Sequence, residues 1–85
     1  MKIVFNSFNN LAVATTAYKT AIGRLKNVAI DDFNNYSKYD YAIFMGFDED
    51  LTELVKAKNQ NNNIMCGVID PRSDNIAKFY KYLDF

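Results

Sequence analysis

The chain has no histidine and no tryptophan, one cysteine, one proline, and no glycine before Gly23. Without histidine there can be no Ser-His-Asp triad, no Cys–His pair and no imidazole metal site. Cys66 has no second thiol in the chain, so neither a disulfide nor a dithiol redox centre can form within it, and a lone cysteine suits a reducing compartment. The first strand-to-helix loop reads Asn6-Ser7-Phe8-Asn9-Asn10. It lacks the G-x-G-x-x-G turn that lets a pyrophosphate approach the backbone, which argues against a dinucleotide site. It also lacks the acid that phosphotransfer proteins of related topology place after strand one. Excess charge is absent too. Ten basic and ten acidic residues cancel and no basic run occurs, so nucleic-acid binding has no electrostatic warrant. No apolar stretch approaches the roughly 18 residues of a membrane span. The opening MKIVFNSFNN turns polar too soon for a signal peptide, and the expected location is the cytoplasm.

What is present is a folded-protein composition, 49% hydrophobic and 15% aromatic, which argues against disorder. A chain of this size buries roughly 60–65% of its unfolded surface, a marginal amount for a free-standing domain. Four apolar runs, Lys2–Phe5, Val28–Ile30, Tyr41–Phe47 and Ile64–Ile69, mark four strands. The last two do not alternate with polar residues, as expected of strands covered on both faces. Leu11, Ala14, Ala17, Tyr18, Ala21, Ile22 and Leu25 recur at helical spacing, with Asn9 or Asn10 as N-cap and Gly23 or Asn27 near the end. A second helix starts at Asp48 or Asp50, turning Leu51, Leu54 and Val55 inward and Lys56 and Lys58 outward. A third starts at Ser73 or Asp74 and carries Ile76, Phe79, Tyr80 and Leu83 on one stripe. Ile43 and Ile69 are expected core residues, and the NQNNN run at 59–63 is expected to be a solvated loop.

The element order β-α-β-β-α-β-α predicts an α/β domain. It is a small three-layer Rossmann-like or flavodoxin-like half-fold, with four mostly parallel strands in the order 2-1-3-4 and three helices. Residues 1–85 form one domain, read as a fragment or half of a larger fold. The connection at 33–40 is short for a parallel crossover, which leaves an antiparallel second strand open. Strand Ile64–Ile69 falls at an edge but carries neither charge nor proline, the usual protection there. Either a second copy of the chain or a missing C-terminal domain is expected to cover it.

Open α/β sheets bind ligands beyond the carboxyl ends of their strands, where four loops of this chain would gather. Asn6, Ser7, Asn9 and Asn10 lie at a helix start and offer amides to an anion. Asp31 and Asp32 follow strand two, where an acid can accept from a ribose, although surface-turn acids explain them as well. Asp48, with Glu49 and Asp50, is placed to bind magnesium beside a substrate phosphate, or only to cap a helix. Asp70 and Arg72 flank Pro71; Arg72 can grip a carboxylate or phosphate bidentately, or simply pair with Asp70. Tyr36, Tyr39 and Tyr41 are read as covering the sheet, with stacking on a ring-shaped ligand as the alternative. Cys66 is read as an inert packing residue. No catalytic residue, metal or cofactor is expected of the chain alone.

The segment Tyr39-Asp40-Tyr41-Ala42-Ile43-Phe44-Met45-Gly46-Phe47-Asp48, followed by a helix and then Gly67-Val68-Ile69-Asp70-Pro71-Arg72, resembles the N-terminal Rossmann-like domain of GT-B-type glycosyltransferases. In that family this domain mainly contacts the acceptor, a second domain carries most of the nucleotide-sugar site, and chemistry occurs in the cleft between them. The resemblance implies an acceptor-side domain without activity of its own. Two other readings stand beside it: a homo-oligomeric interaction module, and a small flavodoxin-like binder holding phosphate at residues 6–10.

Overall fold

In the computed structural model, residues 1–7, 13–32, 34–45, 52–69 and 76–85 are described. They form strands β1 (Ile3–Asn6), β2 (Val28–Ile30), β3 (Tyr41–Met45) and β4 (Met65–Ile69), with helices α1 (Val13–Ile22) and α2 (Thr52–Gln60). A single 3₁₀ turn at Tyr36–Lys38 lies before β3, and a 3₁₀ helix at Ile76–Tyr82 follows β4. The expected caps at Asn9 or Asn10, Asp48 or Asp50, and Ser73 or Asp74 lie outside the described residues, as do Leu11 and Leu51.

The sheet is four-stranded, wholly parallel, and ordered β2-β1-β3-β4. Strand two is therefore parallel, and the short connection does cross the sheet. It need pass only β1, and ten residues extended at about 3.3 Å each reach well beyond that distance. A full crossover helix is unnecessary, and the one 3₁₀ turn takes its place.

Right-handed crossovers put α1 on one face and α2 on the other, because the chain steps outward from β1 in opposite directions. Side chains alternate across the strands accordingly. Val4, Ala42, Phe44 and Cys66 face α2 and join Leu54, Ala57, Ile64, Tyr36 and Tyr39 in one buried cluster. Phe5 and Met45, also fully buried, point to the α1 side. Tyr36 and Tyr39 thus cover the sheet as expected, with the Tyr36 ring 6.3 Å from that of Phe44. Ile43 and Ile69, on the α1 side of the sheet, are only partly buried, although Met45 on the same side is fully buried.

Two helix faces differ from expectation. On α1 the inward positions are Thr15, Lys19 and Ile22, while Ala17, Tyr18, Ala21 and the following Leu25 are exposed. The helix VATTAYKTAI has small or apolar residues on every side, so the sequence pattern scarcely fixes its rotation, and the ion pair of Lys19 with Asp31 orients it. The last helix is 3₁₀, not α, and three residues per turn align Phe79 with Tyr82. Both pack on the core with Leu83, whereas Tyr80 is exposed.

The asparagine-rich run 59–63, expected as a solvated loop, begins as the last two residues of α2, and although mostly exposed it is tied down. Asn61 donates from Nδ2 to the carbonyls of Tyr36 (3.1 Å) and Tyr39 (2.9 Å), and Gln60 Oε1 accepts the Tyr36 amide at 3.3 Å. Among the described residues no helix is long and apolar enough to cross a membrane.

The segment after the 3₁₀ helix crosses the outer edge of β4. Leu83 packs on the α2-side core. Asp84 and Phe85 donate their amides to the Cys66 carbonyl at 2.7 and 3.3 Å. The Asp84 carboxylate accepts from the Cys66 amide at 2.8 Å and from Lys58 Nζ at 2.6 Å. The Phe85 ring then lies on the opposite face, over Gly67 and 6.1 Å from the Tyr41 ring.

Candidate functional site

Strand order reverses between β1 and β3, so the ligand crevice of such a sheet opens beyond the carboxyl ends of these two strands. Asn6 ends β1 there, in register with Phe44 of β3, and Ser7 follows. Both are fully buried. With Asp31 and Asp32 they are the loop candidates that fall within the described residues; Asn9, Asn10, Asp48, Asp70 and Arg72 lie outside them.

Asn6 and Ser7 enter separate polar networks. Asn6 Nδ2 donates to the Tyr36 hydroxyl at 2.7 Å, and that hydroxyl donates to Glu53 Oε2 at 2.6 Å. Glu53 sits in the first turn of α2 with Lys56 Nζ 3.5 Å away, and Lys56 also donates to Asn34 Oδ1 at 2.9 Å. Burial, then the hydrogen bond to Glu53 and its negative charge, push the Tyr36 phenol far above its ordinary range. Tyr36 is therefore a neutral donor and acceptor, not a base.

Ser7 donates from its amide and hydroxyl to Asp31 Oδ1, at 2.8 and 2.9 Å. Asp31 can reach back because its backbone is left-handed (φ 54°), a conformation aspartate tolerates, and its own amide donates to the Phe5 carbonyl at 2.8 Å. Lys19 Nζ completes the group 2.7 Å from Asp31 Oδ2. Burial opposes ionisation of Asp31. The Lys19 hydrogen bond, the two donors of Ser7 and the lysine charge outweigh it and hold the carboxyl below its usual range.

Asn6 Oδ1 and Thr15 Oγ1 are buried without a hydrogen-bond partner among the described residues. A buried unpaired acceptor costs about 1–3 kcal/mol, so the Asn6 carbonyl at the switch point is the group best placed to gain from a donor.

The ribose reading of Asp31 meets an obstacle here, since its carboxylate is already engaged on both oxygens. Asp32 is turned outward to Tyr39 (2.6 Å), Asn35 (2.8 Å) and Lys38 (3.3 Å). Lys19 and Glu53 were not among the expected site residues, and Tyr36 was weighed only for covering the sheet or stacking on a ring, not for its hydroxyl. Their signal was indirect: a lone lysine on an otherwise uncharged helix, and tyrosines in a polar connection. A cavity of roughly 400 Å³ lined by Lys38, Tyr39, Asp40, Asn61 and Met65 lies at the other end of the strands, away from this cluster. Burial pushes the Cys66 thiol up to about 11, with Lys58 opposing and Asp84 reinforcing the shift, so it is not a nucleophile at neutral pH. Comparison with models of known families, with curated proteins and with solved structures gives no match.

Proposed function

We propose that this chain is a non-catalytic Rossmann-like binding module that receives a neutral, hydroxyl-rich ligand beyond the carboxyl ends of β1 and β3. The observation that carries this reading is the buried Oδ1 of Asn6 at the switch point, which has no hydrogen-bond partner among the described residues. It is an acceptor and calls for a hydroxyl or amine donor. The charged groups described around it are the carboxylates of Glu53 and Asp31, with Lys56 and Lys19 already paired to them. Such surroundings favour a sugar hydroxyl over a phosphate.

This agrees with an acceptor-side domain of a glycosyltransferase-like protein, in which catalysis would require a second, nucleotide-sugar-binding domain. The buried lone thiol suits a reducing compartment such as the cytoplasm.

The test is a nitrogen-15 NMR titration with a panel of neutral mono- and disaccharides, with inorganic phosphate in parallel. The expected result is a saturable shift of the Asn6 side-chain amide and Ser7 backbone amide with a saccharide, lost in a folded Asn6→Ala variant. Shifts with phosphate alone, or with none of the compounds, would overturn the reading.

A further inference from the structure

A groove along the outer edge of β4 holds two residues of its own chain, Asp84 and Phe85. Its components are the amide and carbonyl of Cys66, the ammonium of Lys58, and the bare face of Gly67 beside Tyr41. The Cys66 amide and Lys58 Nζ both donate to one carboxylate oxygen, at 2.8 and 2.6 Å. The Cys66 carbonyl accepts two successive backbone amides, at 2.7 and 3.3 Å. Gly67 leaves room for an aromatic ring, because a Cβ there would overlap the ring of Phe85. The groove thus accommodates a carboxylate residue followed by an aromatic one, whose backbone donates to a strand edge.

The occupant in cis leaves the seat half open. Phe85 remains 60% exposed and the adjacent Met65 41% exposed. The groove is built by β4 and α2, whereas its occupant follows the 3₁₀ helix. Exchange between two copies would therefore remake the same hydrogen bonds while bringing two β4 edges and their exposed apolar groups together.

We propose that the β4 edge groove binds an acidic–aromatic peptide segment, and that its partner in trans is Asp84–Phe85 of a second copy of this chain. This proposal does not depend on the saccharide reading, since the groove lies along an edge and the polar cluster lies at the strand ends.

Two complementary variants test it. Asp84→Ala with Phe85→Ala keeps the backbone of the segment but removes its carboxylate and its ring, freeing Lys58, the Cys66 amide and the Gly67 face. Gly67→Ala fills the groove and leaves the segment free. Folding is checked by circular dichroism and mass by sedimentation. Each variant alone is expected to be monomeric, and an equimolar mixture is expected to double in mass, as is the unaltered chain at high concentration. Folded variants that stay monomeric when mixed would overturn the proposal, and so would either variant pairing with itself. If Gly67→Ala does not fold, a synthetic peptide of residues 80–85 is titrated into the doubly substituted variant. Saturable shifts at the Cys66 and Gly67 amides support the proposal, and unchanged amides overturn it.

Discussion

The ring of Phe85 occupies the space that a side chain on Gly67 would need. The pair links the outermost strand to the segment that crosses its edge, and it sets the first prediction. Gly67→Ala must displace the ring, at a cost of about 1–3 kcal/mol typical of overpacking. In a Phe85→Ala background the same change should cost much less. Urea denaturation of the four chains measures this coupling, and additive losses would show that the contact carries no energy.

Acid should weaken the fold through three carboxylates, Asp84, Asp31 and Asp32, the last held below its usual range first by the hydrogen bond from Tyr39. The hydrogen bond from Lys58, then the Cys66 amide, lower the pKa of Asp84, while Lys19 and Ser7 lower that of Asp31 against its burial. A lowered folded-state pKa means that the unfolded chain binds protons first as pH falls. The stabilisation is thus complete above the unfolded value near 3.8 and is lost as pH drops through the folded values. Thermal melts between pH 6 and 2 should show the loss, with a shallower decline in Asp84→Asn. An identical acid limb in that variant would remove Asp84 from the account.

Alkali should act through tyrosine. Burial and the hydrogen bond to Asp32 push Tyr39 up to about 12, and Tyr36 is raised further by burial and Glu53. A raised folded-state pKa contributes stability below the unfolded value near 10, which fades as pH rises beyond it. Tyr36→Phe strands Asn6 Nδ2 and the Glu53 carboxylate and should cost about 1–3 kcal/mol at neutral pH. A change under about 0.5 kcal/mol, the level of an ordinary surface substitution, would mean that the hydroxyl is dispensable.

Core deletions should divide by face. Leu54 is fully buried in the α2-side cluster, so Leu54→Ala should cost about 2–5 kcal/mol. Ile43 and Ile69, on the other face, are only partly buried, and their alanine variants should lose clearly less. Equal losses in chemical denaturation would show that this face is closed in solution, by a partner or a second copy.

The strand order was legible because apolar runs of three to seven residues punctuated by polar loops leave few right-handed arrangements. Helix faces were less legible. The uncharged sides of α1 gave periodicity no preference, and the Lys19–Asp31 pair that orients it joins residues on different elements. Tyr80 and Tyr82 exchanged roles because the last helix winds with three residues per turn, which its apolar spacing did not distinguish. Within the candidate site, Asn6 and Ser7 were legible from position alone, as the polar residues that end and follow β1. Tyr36 and Glu53 were not, since their meeting with Asn6 depends on a crossover that the chain makes without a full helix.

Amides on the outer side of a border strand ordinarily trade protons with solvent quickly, because water can reach them without any opening of the fold. The Cys66 amide lies on that side, yet its acceptor is the Asp84 carboxylate, which also holds an ammonium and belongs to a segment spanning both faces. Deuterium should enter at Cys66 only when that whole segment detaches, making this one amide a clock for how often the chain lets go of its own edge.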